Sequence, residues 1–106
     1  MNVPSAMKET LTIMNQFALL ELKLGNDKDE SIQRIIQRIK AVWEGMGLVY
    51  QLPIGEKYTD TRTDVMANIV GEMASEMTIT QIVKPIIYQN NVIVQQGIVM
   101  VEAKKK

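Results

Sequence analysis

Two patterns of residues, one on each side of Gly47, predict an α+β fold in which an N-terminal helical hairpin is followed by a small, mainly antiparallel β-domain. Up to Gly47 the apolar residues recur every three or four positions, as one face of a helix requires. Beyond Gly47, β-branched residues, short alternating runs and turn formers take over. A third observation bounds the result. With 106 residues, 46% of them hydrophobic and 23% charged, the chain has the usage of a folded domain, which argues against disordered and collagen-like classes. Residues 1–47 are therefore assigned to the hairpin and 48–106 to the β-domain with its basic tail, Lys104 to Lys106.

From Ser5 to Leu24 two neighbouring helical stripes are present, Met7, Leu11, Met14 and Ala18, then Ile13, Phe17, Leu20 and Leu24. A face this wide needs more than one neighbour. Ser5 can cap the helix, and Gly25-Asn26 supplies residues that stop helices in the left-handed conformation. For the second helix, Asp27 with Glu30 three residues on has capping-box spacing, and Ser31 is an alternative cap. Ile32, Ile35, Ile36, Ile39, Val42, Trp43 and Met46 then form the apolar face, opposite a polar stripe of Gln33, Arg34, Gln37, Arg38, Lys40 and Glu44. Gly45 and Gly47 end it. Two amphipathic helices cannot enclose a core alone, so the hairpin must pack on a partner chain or on the later part of its own chain.

The strands are short. Leu48 to Leu52 ends at Pro53, which cannot donate to a central ladder. Val65 to Val70 is readable as strand or as a turn of helix. Thr78 to Val83 is β-branched and alternating, and Pro85 after it indicates an edge or a bend. Ile86 to Tyr88 and Val92 to Gln95 flank Asn90-Asn91, residues that tolerate the positive φ of a hairpin turn. Ile98 to Val101 is the last strand.

Composition narrows the chemistry. Twelve basic and twelve acidic residues give zero formal charge, and the balance holds locally, with six of each in residues 1–47. No overall field draws the chain to nucleic acid or an anionic membrane, and a near-neutral chain is poorly protected against self-association. The chain has neither cysteine nor histidine, which removes disulfides, Cys/His metal sites, thiol nucleophiles and imidazole acid–base chemistry. Ser5, Ser31 and Ser75 have no histidine base. Asp60 and Asp64 lie four apart but lack a third ligand type and read as a solvated loop. Gly55-Glu56 and Gly71-Glu72 lack the glycine-rich turn and Lys-Ser/Thr of a phosphate loop. No catalytic, metal or cofactor site is expected, and the chain is read as a non-enzyme. Trp43, on an apolar helix face, reads as packing, as do Met7, Met14 and Met46. No apolar run reaches the roughly 18 residues of a membrane span and no signal peptide is visible, so a cytoplasmic location is expected.

Particular segments in order carry a resemblance: Trp43-Glu44-Gly45-Met46-Gly47-Leu48-Val49, Pro53-Ile54-Gly55-Glu56-Lys57-Tyr58, Thr78-Ile79-Thr80-Gln81-Ile82-Val83, Asn90-Asn91-Val92, and Gly97-Ile98-Val99-Met100-Val101. In order and spacing, over about residues 7 to 102, the chain resembles the GrpE family, co-chaperones that act as nucleotide exchange factors of DnaK-type chaperones. The family's long amino-terminal paired helix has no counterpart in these residues. The resemblance implies a homodimer whose hairpins form a four-helix bundle, with Leu11, Met14, Phe17, Ile32, Ile35, Ile36, Ile39 and Trp43 at the dimer interface. It also implies a β-domain that wedges into the nucleotide-binding domain of the chaperone and releases ADP, through a surface around Asn90, Asn91, Val92, Gln95, Ile98 and Val101. The family commonly carries two arginines beside the final turn, where this chain has Val92 and Gln95. A second implication is therefore a non-catalytic dimerisation or adaptor module that keeps the fold and binds another protein.

Overall fold

The computed structural model describes residues 5–25 and 28–103. Two helices, α1 (Ser5–Leu24) and α2 (Glu30–Gly45), precede seven strands: β1 (Leu48–Gln51), β2 (Lys57–Tyr58), β3 (Val65–Val70), β4 (Met77–Lys84), β5 (Ile86–Gln89), β6 (Val92–Gln95) and β7 (Gly97–Ala103). The α+β class is as expected, and the ambiguous segment 65–70 is a strand.

Helix α2 begins at Asp29, whose carboxylate accepts the Ser31 amide at 2.9 Å and the Ser31 hydroxyl at 2.6 Å. These donors hold the Asp29 carboxyl below the usual range, the hydroxyl contributing most. The cap expected at Asp27 lies outside the described residues, and Ser31 serves as donor to the cap rather than as the cap. Of the pair expected to stop α1, Gly25 does not have a positive φ, and Asn26 lies outside the described residues. The end of α2 is as expected: Met46 and Gly47 donate to Trp43 O and Glu44 O, both at 2.9 Å, and Gly47 turns the chain at φ +79°.

The strands form two sheets, one ordered β1-β5-β6 and the other β2-β4-β7-β3. Every ladder is antiparallel except β3 with β7, which is parallel. Asn90 and Asn91 have φ of 51° and 68°, the paired positive angles of a tight hairpin between β5 and β6. Pro85 is fully buried at the bend where the chain leaves β4 in one sheet and enters β5 in the other. The alternation expected over 78–83 does not hold. Register shifts between Ile79 and Gln81 and between Ile82 and Lys84 put Ile79 and Ile82 both inside, leaving Gln81 and Val83 exposed.

Two apolar clusters result. In one, Met14, Ala18 and Leu11 of α1 pack on Leu48, Tyr50 and Ile87 of the three-stranded sheet. In the other, Val65, Met77, Ile79, Ile82, Val99 and Val101 of the four-stranded sheet surround Ile86. Adjacent residues Ile86 and Ile87 thus serve different clusters, and Leu52 packs against both. Burying a side chain as completely as Met14 or Ile87 contributes about 1.5–3 kcal/mol. The hairpin therefore covers part of its own chain, and the inner stripe of α1 is occupied by the three-stranded sheet.

Three rings lock the helices to β1. Phe17, Trp43 and Tyr50 meet edge to face, with centroids 5.2 Å apart for Phe17–Trp43, 6.4 Å for Phe17–Tyr50 and 6.3 Å for Trp43–Tyr50. Beside them the Tyr50 hydroxyl donates to Glu21 Oε1 at 2.7 Å, and Lys40 Nζ reaches the same oxygen at 3.0 Å while lying 5.1 Å from the Tyr50 ring centre. One carboxylate thus joins α1, α2 and β1. Burial, then the bond to Glu21 and its charge, push the Tyr50 hydroxyl pKa well up, keeping it a donor.

Candidate functional site

The residues expected to contact a partner do not share one surface. Asn90, Asn91 and Val92 sit exposed at the β5–β6 turn, which is tied to the end of α2 by Asn90 N donating to Gly47 O at 2.9 Å. The Asn90 side chain also lies where a Cβ on Gly47 would be, so this junction accepts only glycine without movement. Around the turn, Val49, Gln51 and Tyr88 complete an open groove with Gly47, Asn90 and Asn91.

Gln95 is held by its own chain, and Val101 is a correction. The Gln95 amide donates to Asn15 Oδ1 at 2.7 Å and Pro85 O at 2.8 Å, and accepts from Asn15 Nδ2 at 3.2 Å. Its polar atoms are engaged in fastening β6 to α1, and the side chain is half-buried. Val101 is fully buried in the four-stranded sheet's core and cannot touch a second protein. Ile98 is half-buried and lies on the opposite face of that strand, away from the core.

That opposite face is what sequence reasoning missed. Register places Met66, Ile98 and Lys84 in one row across β3, β7 and β4, and Asn68, Met100 and Gln81 in the next. Val83, beside Lys84, is 47% exposed and Met66 58%. Ile98, Met66, Met100 and Val83 therefore form an apolar patch at one end of the sheet face turned away from the core, with Thr78, Thr80, Asn68, Glu102 and the exposed Val70 toward the other. The sequence signal was available in β7, where Ile98 and Met100 are apolar on the face opposite Val99 and Val101. Reading it required knowing which face of this sheet the core occupies.

The residues assigned to a dimer interface divide. Leu11, Met14 and Ile36 are buried within the chain itself, which corrects their placement at a dimer interface. Phe17 and Trp43 are half-buried against each other and Tyr50. Ile32 and Ile39 are half-buried, and Ile35 is 54% exposed. At 100° per residue, Ile35, Ile39, Val42 and Met46 share one side of α2, roughly opposite Lys40 and Glu44, which face β1. Ile13 and Leu20 of α1 are also exposed. The outer side of the hairpin is thus an apolar surface made mainly of residues adjacent to those expected.

Asp60 and Asp64 do not form a pair. Arg62 grips Asp64 with two parallel bonds, Nε to Oδ1 at 3.0 Å and Nη2 to Oδ2 at 2.8 Å, and reaches Glu56 Oε1 at 3.3 Å and Lys57 O at 3.2 Å. The bond to Arg62 lowers the Asp64 carboxyl pKa and raises that of the guanidinium. The cluster closes the 56–64 loop. Among the described residues no group of three acidic side chains is placed to hold a metal ion, and no helix is long and apolar enough to cross a membrane. Compared with known protein families, with curated proteins and with solved structures, the chain has no match.

Proposed function

We propose that the protein is a GrpE-like co-chaperone, a non-catalytic module that lays its β-domain against the nucleotide-binding domain of a DnaK-type chaperone and promotes ADP release. The observation that carries this reading is the uncovered face of the four-stranded sheet, with Met66, Val83, Ile98 and Met100 presented on a scaffold held by the core beneath. Methionines suit a surface that adapts to a partner. The order of elements, a helical hairpin and then a β-domain closing on the β5–β6 turn, supports the same reading, as does the ordered segment resemblance. Exchange by this route needs no bond chemistry. The module binds the open, nucleotide-free chaperone more tightly than the ADP form, and linkage requires that ADP weaken its binding by the same factor. In the same proposal two chains associate through the outer hairpin surface, Ile13 and Leu20 with Ile35, Ile39 and Val42, rather than through the inner stripe of α1.

A second reading has its own support. Because Gln95 is engaged with Asn15 and Val101 is buried, the family's contact surface is not reproduced around the final turn, which favours an adaptor that binds another protein through the sheet face. The discriminating experiment measures release of a fluorescent ADP from the DnaK-type chaperone of the same host, with wild-type protein and with Met66→Asp, a change on the open face. Acceleration by wild type that is lost in the variant is expected. Absence of acceleration and of binding to the chaperone refutes the co-chaperone reading and leaves the adaptor.

A further inference from the structure

The four edge strands of the two sheets are not equally protected. β2 has two residues and ends at an edge carrying Lys57; β1 lies beside α2; β6 has four residues, the last of them fastened to α1 through Gln95. β3 is different. Its six residues, Val65-Met66-Ala67-Asn68-Ile69-Val70, contain no charge, proline or glycine, and among the described residues it pairs only with β7. Natural sheets usually blunt an edge of this length and composition, because it is a template for another strand.

The phase of the β3–β7 ladder identifies the groups left over. Gly97 N donates to Asp64 O at 2.9 Å immediately before the strand. In a regular parallel ladder the even-numbered residues, Met66, Asn68 and Val70, then direct N–H and C=O toward β7, while Val65, Ala67 and Ile69 direct theirs to the free edge. The outward set is centred on Ala67, the smallest side chain in the strand. An antiparallel copy of the same strand, related by a two-fold axis at Ala67, sets Ala67 opposite Ala67 and Val65 opposite Ile69. Each outward N–H then meets an outward carbonyl of the other copy, with none left over on either side. On the inner face, Ile69 lies at the sheet edge and is 43% exposed. The pairing seats it against the β-branched Val65 and carries the core across the axis.

We infer that the free edge of β3 pairs antiparallel with β3 of a second copy of this chain, joining two four-stranded sheets into one of eight strands. A second copy is the occupant these side chains fit: the two-fold pairing sets β-branched Val65 against Ile69 on the core side and the small Ala67 against itself, and an uncharged strand in a chain of zero formal charge meets no repulsion from its copy. This interface is separate from the outer hairpin surface and does not depend on the chaperone reading.

Because the chain has no cysteine, Ala67→Cys introduces a single thiol. Directly opposed residues in a hydrogen-bonded antiparallel pair have Cα atoms about 5.5 Å apart, within disulfide range. Mild oxidation of Ala67→Cys is expected to give a covalent dimer, and Met73→Cys, exposed in the loop after β3, is expected to give far less. Ile69→Lys is expected to reduce the β3-dependent associated mass two-fold in sedimentation while its circular dichroism matches wild type. A folded Ala67→Cys protein that does not cross-link overturns the inference, as does a mass unaffected by Ile69→Lys. Val42→Asp separates the two interfaces. Retained cross-linking of Ala67→Cys in that background supports β3 pairing, whereas its loss assigns association to the helices and overturns it. Protection of β3 amides from hydrogen exchange only on adding an unrelated peptide would likewise replace the second copy with a foreign strand.

Discussion

Gln95 separates a structural role from a partner contact with one thermodynamic cycle. Gln95→Ala removes two bonds to Asn15, at 2.7 and 3.2 Å, and one to Pro85 O at 2.8 Å. Neutral hydrogen bonds contribute about 0.5–1.5 kcal/mol each, the 3.2 Å bond being the weakest, and a buried acceptor left unpaired adds to the loss. The site is only partly buried, so water recovers some of this, and a cost of about 2 kcal/mol is expected. For a domain of this size that corresponds to a fall in Tm of about 8 °C. Asn15→Ala removes the two bonds to Gln95 but leaves the one to Pro85, and its cost is reduced by the roughly 0.5 kcal/mol of helix propensity that alanine gains. The propensity gain appears in both legs of the cycle and cancels. Because Gln95→Ala already removes all three bonds, the double variant should cost slightly less than Gln95→Ala alone, by about the helix-propensity gain, giving a coupling energy of about 1–2 kcal/mol. Equilibrium urea unfolding with constant m-values provides the four stabilities. Additive effects, or a Gln95→Ala protein as stable as wild type, would refute the reasoning and return Gln95 to the exposed surface.

Two further perturbations test other parts of the structure. The Tyr50 hydroxyl has a raised pKa in the fold, so above about pH 10 the unfolded chain loses a proton that the folded chain keeps, and stability falls by about 1.4 kcal/mol per pH unit; below that pH the contribution is complete. Tyr50→Phe should remove this part of the alkaline slope in pH-dependent unfolding, and an unchanged slope would mean that the hydroxyl is solvated. Ile87→Ala, at a fully buried position between α1 and the three-stranded sheet, should cost about 2–5 kcal/mol in the same unfolding assay. A cost below about 1 kcal/mol would place the helices elsewhere.

Much of the local structure was legible in residue order, because it depends on contacts within a few positions. Gly47 turns the chain with a positive φ that glycine adopts freely, and Asn90-Asn91 form the turn their side chains permit. The helical periodicity of Ile32, Ile36 and Trp43 required one apolar face whatever lay against it. Capping was less legible at 27–31, where several residues could accept the same amides and only the path of the chain into α2 selects Asp29. The candidate site was less legible still. Val101 and Ile98 are equally apolar in sequence, and their opposite fates result from strand period and from which sheet face the core occupies.

The sequence alone determined the α+β class, the helical hairpin, five of the strands and the absence of imidazole and thiol chemistry, since each depends on composition or on spacing along one element. Tertiary structure decided that the hairpin covers the chain's own three-stranded sheet, that β4 slips register to bury Ile79 with Ile82, and that β3 is left as an unguarded edge beside an open sheet face. Those outcomes depend on which surfaces meet across long stretches of chain, and an apolar stripe carries no mark of what will cover it: Leu11 met a sheet, Val42 met none.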